Sequence, residues 1–257
     1  MSTVDETADT ARLGHLYGVG VGPGDPELMT LKAKRVIDAS PVVAHFAARS
    51  RRGNAWAVIE SSLTSEHEVL RLEYPITTEA VEPGDYEHRI AEFYDRSAAT
   101  IAAHLDRGTD VAVVCEGDPF FYGSYMYIHQ RLAHRYPTSV IPGVTSVSAA
   151  TAAAGVPLVS MNESLTVLPG VVPPEQLKEL LSNVDAAVVM KVGRHLDDVR
   201  DAAAAVGLAD RAIYVERASC PTEQIIALSN TGDVVAPYFS LVLIPGSGLH
   251  ARNQQIE

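Results

Sequence analysis

Cysteine is nearly absent. The 257 residues contain two, Cys115 and Cys220. They form no C-x-x-C pair, so neither a disulfide framework nor a zinc site is expected. This usage suits a reducing compartment. Long apolar runs are also missing: no uninterrupted stretch reaches the ~18 residues of a transmembrane helix. Residues 1–12 are polar and lack an apolar core, so a disordered head is expected there and not a secretory leader. Basic residues are scarce. Twenty Lys and Arg stand against 32 Asp and Glu, for a formal net charge of −12. The resulting pI of about 5.2 argues against nucleic acid as the main partner. The nine histidines form no H-x-H or H-E-x-x-H, so no metal is expected. No G-x-S-x-G occurs, and no Ser-His-Asp triad can be assembled from spacing. The balance is that of a soluble cytoplasmic protein that does not enter membranes.

What is present is apolar and regularly segmented. Hydrophobic residues make up 47% of the chain, enough for a substantial core. Short apolar runs predict strands at His15–Gly20, Pro41–His45, Trp56–Ile59, Asp110–Cys115 and Thr138–Ile141. Helical patterns follow Asp25, Gly84 and Gly123. The longest, Asp85–Arg107, places Tyr86, Ile90, Phe93, Ser97, Ile101 and Leu105 on one face, and Gly108 ends it. This alternation is βαβ grammar and predicts a mostly parallel sheet covered on both faces. Pro142-Gly143 punctuates the chain. Beyond it come a small-residue helix, Thr145–Ala154, and strands near Leu165–Leu168, Ala186–Lys191, Ala212–Glu216 and Phe239–Ile244. Helices are predicted between them at Glu175–Leu181 and His195–Val206. The expected architecture is two α/β domains, 13–143 and 144–257, with a mostly parallel sheet in the first and a mixed sheet in the second.

The densest punctuation is Gly18-Val19-Gly20-Val21-Gly22-Pro23-Gly24-Asp25, between a strand and a helical pattern. Asp25 suits an N-cap and Pro26 the first helical position. The glycines are not spaced as G-x-G-x-x-G or G-x-x-x-x-G-K-[ST]. Pro23 removes a backbone N–H, and Asp25 sets a carboxylate where a phosphate would sit. The loop therefore fits a neutral or cationic ligand better than a nucleotide phosphate, and a plain tight turn is the alternative.

Further loops follow other predicted strands. Glu116-Gly117-Asp118-Pro119-Phe120-Phe121-Tyr122-Gly123 ends the run Val111–Cys115, at the kind of strand end where ligands collect in open α/β sheets. A type I turn anchored by its aromatics explains it equally well. Pro142-Gly143-Val144-Thr145-Ser146 follows the next strand, and Thr145 or Ser146 can cap a helix as well as face a ligand. Met190 reads as core and Lys191 as a solvated strand end.

Taken in order, Gly18–Asp25, Glu116–Gly123 and Pro142–Ser146 resemble the tetrapyrrole methyltransferases that use S-adenosylmethionine. Met190-Lys191, Val215–Ser219 and Tyr238–Ser240 add weaker matches, and the resemblance covers nearly all of the chain after residue 13. Within the family, Cys115–Tyr125, Met190–Arg194 and Arg51–Ala55 look most like the branch that methylates C-20 of precorrin-2. The resemblance implies a homodimeric two-domain enzyme with S-adenosylmethionine held between its domains and a tetrapyrrole as substrate. It implies cofactor contacts at Pro23, Glu116, Gly117, Asp118, Phe121, Thr145, Ser146, Met190 and Ala218. Relatives often carry Gly where Ala218 stands, which adds a methyl group near the adenine. The substrate is a polycarboxylate, and Arg49, Arg51 and Arg52 form the densest basic cluster available to bind it. For the proton that leaves the methylated carbon, Asp25 and His45 are candidate acceptors. His45 is placed by the strand prediction at the end of the second strand. Another tetrapyrrole substrate is an alternative, as are a dinucleotide-dependent oxidoreductase and a cofactor-binding module without catalysis.

Overall fold

The computed structural model describes residues 12–49, 52–75 and 84–248. The predicted head, apart from Arg12, lies outside the described residues. The chain divides into two compact units between Thr145 and Ser146.

The first unit is built on five strands, β1 (Leu16–Gly20), β2 (Val42–Ala48), β3 (Glu68–Tyr74), β4 (Val111–Cys115) and β5 (Thr138–Ile141). All pair in parallel, in the order β3-β2-β4-β1-β5. Helices α1 (Leu31–Ala39), α2 (Asn54–Ile59), α3 (Asp85–Leu105) and α4 (Tyr125–Leu132) cover it. Val19, Val43 and Val114 pack with Ile37 of α1 and Val58 and Ile59 of α2. Leu16, Ala44 and Val113 pack with Phe93 and Ile101 of α3 and Ile128 of α4. Both faces are therefore covered, which is why β4 reads as an unbroken apolar run with every residue buried.

Several boundaries differ from the sequence expectation. Trp56–Ile59 is not a strand but part of α2. Ala55, Val58 and Ile59 are its buried residues, at the i, i+3, i+4 spacing of one helix face. A four-residue apolar run carries too little period to separate the two. Strand β3 escaped notice because it is an edge strand, with charged Glu68, Arg71 and Glu73 around its inward Leu70 and Leu72. Asp25 caps only a short 3-10 turn, Pro26–Leu28. The true α1 cap is Thr30, whose Oγ1 accepts from the Ala33 N–H at 3.1 Å. On α3 the predicted face is buried at Phe93, Ser97, Ile101 and Leu105, whereas Tyr86 is exposed.

The second unit opens with α5 (Ser146–Ala154) and continues through β6 (Leu165–Pro169), α6 (Pro174–Leu181), β7 (Ala186–Met190), α7 (Leu196–Ala205), β8 (Ile213–Glu216), β9 (Gln224–Ala227) and β10 (Ser240–Ile244). Its sheet runs β6-β7-β10-β8-β9. β6 and β7 are parallel, and β10 lies antiparallel between β7 and β8, so the sheet is mixed. Leu177, Leu181, Val189, Val199, Tyr214 and Val242 fill its core. Strand β9, short and at the other edge, was not predicted.

Candidate active site

The strand order creates a fork in the first unit. From β1 the chain crosses β4 to reach β2, and from β4 it crosses β1 to reach β5. The loops leaving these two neighbours diverge, which opens a crevice at their carboxyl ends.

Backbone hydrogen bonds draw the loops together there. The Val21 N–H donates to the Cys115 carbonyl at 2.9 Å. Gly22 and Gly117 exchange N–H groups at 2.8 and 3.4 Å, an antiparallel bridge beyond two parallel strands. The third loop joins through Asp118, whose Oδ2 accepts from the Gly143 N–H at 3.0 Å while Oδ1 accepts from Phe120 at 2.8 Å. The crossing is too tight for side chains. A Cβ on Gly20 would lie 2.6 Å from the Gly117 oxygen, and one on Gly143 would lie 2.0 Å from it. Gly117 itself is different. It has a φ of +65°, and a Cβ there would meet nothing closer than Val144 O and Thr145 Cα, both at 3.9 Å. Its open face is the kind of backbone surface against which a ligand can lie closely.

Of the predicted residues of this unit, Thr145 borders that face, and Glu116 and Asp118 flank it in the chain. Pro23 and Gly117 are buried, and Glu116, Asp118, Phe121 and Thr145 are part-buried. Asp25 Oδ1 accepts from the Glu27 N–H at 2.8 Å. Glu116 is held by Nδ2 of Asn54, the first residue of α2, at 3.4 Å. Burial pushes its carboxyl up to about 7, with the Asn54 bond acting weakly the other way. The surroundings are rich in carboxylates and carbonyls, and Pro23 offers no N–H, so a sulfonium and an amino group fit here and a phosphate does not.

His45 is not at the end of its strand, because β2 continues through Phe46 to Ala48. It is buried, with its ring 4.7 Å from that of Trp56, and its Nδ1 has no hydrogen-bond partner among the described residues. Burial draws its pKa below the usual histidine range. Of the arginines, Arg52 pairs with Glu60 at 2.9 Å on the exposed surface. Arg51 lies outside the described residues. The carbonyl of Arg49 accepts from Nη2 of Arg71 at 3.3 Å, as does that of Ala48 at 3.0 Å. Arg71, opposite His45 in the β2–β3 register, was missed because its strand was missed.

In the second unit the weaker motifs also converge. β7 and β8 both run antiparallel to β10, so their carboxyl ends share one sheet edge with Ser240, where β10 begins. The Val192 N–H donates to the Ser240 carbonyl at 3.3 Å, and Arg217 to that of Phe239 at 3.0 Å. Gly193 donates to Ser240 Oγ at 3.2 Å. Met190 and Ala218 are buried at this edge, and Ser146 starts α5. Lys191, Arg217 and Ser219 all adopt positive φ, at 57°, 48° and 65°. Such conformations are costly outside glycine and cluster at functional sites, and nothing in the residue types announced them. Lys191 is part-buried, not a freely solvated end.

Comparison with known proteins gives a consistent picture. The family described as Tetrapyrrole (Corrin/Porphyrin) Methylases matches residues 15–232. A Sinorhizobium protein named precorrin-2 C(20)-methyltransferase is 49% identical, over 91% of this chain and 96% of the relative. A Salmonella typhimurium cobalt-precorrin-2 C(20)-methyltransferase is 27% identical over 90% of this chain and 96% of its own length. Among solved structures, uroporphyrin-III C-methyltransferase from Thermus thermophilus, complexed with S-adenosylhomocysteine, superposes with a TM-score of 0.64 at 26% identity, covering 93% of this chain and all of that one.

Proposed function

The chain belongs to the tetrapyrrole (corrin/porphyrin) methylases, and from this we propose that it transfers the methyl group of S-adenosylmethionine to C-20 of precorrin-2 in cobalamin synthesis. The observation that carries the reading is the meeting of the loops at Gly20, Gly117 and Gly143, which leaves the Gly117 face open among carboxylates. It joins the 49% identity to a relative named for this reaction.

The cofactor supplies a methyl group already activated on a sulfonium, so the protein's task is mainly alignment. Holding two reacting centres in line is worth ~7–11 kcal/mol. In this reading Pro23, Glu116, Gly117, Asp118, Phe121 and Thr145 hold the cofactor from the first unit. The family resemblance assigns Ser146, Met190 and Ala218 to the cofactor as well. Arg49, Arg51 and Arg52 receive the carboxylates of the tetrapyrrole, and Arg71 steadies the Arg49 backbone.

The test is a substrate panel. Precorrin-2, its cobalt-bearing analogue and uroporphyrinogen III are incubated separately with the protein and methyl-labelled S-adenosylmethionine, and the products are weighed by mass spectrometry. Precorrin-2 is expected to gain one labelled methyl group, and uroporphyrinogen III none. Labelling of uroporphyrinogen III with precorrin-2 untouched would overturn the substrate assignment.

A further inference from the structure

The carboxylates at the carboxyl edge of the first sheet are not equivalent. Asp118 spends both oxygens on backbone N–H groups, those of Phe120 and Gly143. Asp25 accepts from the Glu27 N–H. In both, carboxylate oxygens are already taken up by main-chain N–H groups. Among the described residues, Glu116 has no backbone donor. Its hydrogen-bond partner among the described residues is the Asn54 amide, and at 3.4 Å that bond is long.

Its position is as distinctive as its bonding. Glu116 is the first residue beyond β4, directly before Gly117 and its open face. On the neighbouring strand, His45 is in register with Val114, two residues before Glu116. That histidine is buried against Trp56 inside β2, away from the strand end. We propose that Glu116 is the proton acceptor of the reaction, taking the hydrogen of C-20 once the methyl group has been added there. The proposal rests on the methyltransferase reading above.

The step balances without a further reactant. Methylated C-20 carries both a hydrogen and the new methyl group, beside a cationic conjugated ring system. The C-20–hydrogen bond breaks and its electron pair returns to the ring, which becomes neutral. A hydrogen–oxygen bond forms on the Glu116 carboxylate, and the resulting carboxyl later yields its proton to water. Burial sets the carboxyl up to about 7, close to the working pH, where a general base is most effective. The groups facing it leave that setting intact. The preceding Cys115 thiol is itself pushed up to about 12 by burial and stays neutral. Burial lowers the pKa of His45, α2 presents the uncharged Asn54, and Asp118 lies two residues on.

Because the ionised form is the acceptor, kcat/KM of the wild-type protein should fall as pH drops through about 7. Measurements on the full chain test the assignment. In protein labelled with carboxyl-13C glutamate, one resonance should titrate near neutral pH and vanish in Glu116→Gln. By calorimetry, Glu116→Gln should still bind S-adenosylhomocysteine, since the amide preserves shape. At saturation its kcat should drop by about 10²–10⁴-fold, the usual worth of a general base. Substrate deuterated at C-20 should reveal an isotope effect that the wild type hides. Glu116→Asp should recover part of the rate together with the acid limb. A Glu116→Gln protein that keeps the wild-type kcat and acid limb would overturn the assignment. So would one that loses S-adenosylhomocysteine affinity while its saturated rate stays unchanged, which makes Glu116 a binding group only. If the wild type itself transfers no methyl group to precorrin-2, the methyltransferase reading falls and this inference with it. If it does transfer the group, and the variant behaves as the wild type, the inference alone falls.

Discussion

Gly143→Ala is expected to disrupt the carboxyl edge of the first sheet and, with it, cofactor binding. A Cβ at this position would sit 2.0 Å from the carbonyl oxygen of Gly117 and 2.9 Å from the Gly20 backbone. Both neighbours are main chain, so no side chain can swing aside to make room. The Gly143 N–H is also the donor to Asp118 Oδ2. Movement of the third loop therefore weakens a charge-assisted bond as well. Overpacking usually costs 1–3 kcal/mol, and an approach this close to rigid backbone should cost ~3 kcal/mol or more. For a chain of this size that corresponds to a fall in Tm of roughly 6–12 °C. Gly232→Ala is the control, because a Cβ there meets nothing within 4 Å. If the two variants melt together, the tight crossing of the loops is not a feature of the molecule.

Gly117→Val should act on the ligand more than on the fold. The residue has a φ of +65°, which disfavours any side chain, a β-branched one most. That strain costs about 1–2 kcal/mol. Yet the space beside it is open, with Val144 O and Thr145 Cα no nearer than 3.9 Å. The isopropyl group would enter that space and occupy the face assigned to the cofactor. Affinity for S-adenosylhomocysteine, measured by calorimetry, should fall at least tenfold, which is ~1.4 kcal/mol. The Tm should fall less than in Gly143→Ala. Unchanged affinity would move the pocket away from Gly117.

The two variants also mark what a reader of the sequence can and cannot see. The glycine loops were visible as motifs, because Gly and Pro at strand ends have few other uses. Their mutual contact was not. Gly20, Gly117 and Gly143 are far apart along the chain, and only the strand order β4-β1-β5 brings their backbones together. Long, strongly periodic elements such as α3 were legible, whereas the edge strands β3 and β9, with their exposed and charged positions, were not. Losing β3 hid Arg71. His45 was taken for a strand end because Phe46–Ala48 reads as well as a loop lead-in as it does a strand. The pairing of Arg52 with Glu60 across α2 could not be foreseen while that helix was read as a strand. An exposed pair of this kind contributes ~0–1 kcal/mol, so it does not withhold Arg52 from a polyanionic substrate. The left-handed residues Lys191, Arg217 and Ser219 left no trace in composition. The difference between Glu116 and Asp118, two residues apart, lies in burial and in which N–H groups reach them, neither of which the residue types reveal.

The most direct test of the account is the carbon that receives the methyl group. Precorrin-2 incubated with the protein and methyl-13C S-adenosylmethionine should yield a product whose enriched methyl signal correlates in NMR with C-20, together with one equivalent of S-adenosylhomocysteine. Enrichment at any other carbon, or release of S-adenosylhomocysteine without a labelled tetrapyrrole, would contradict it.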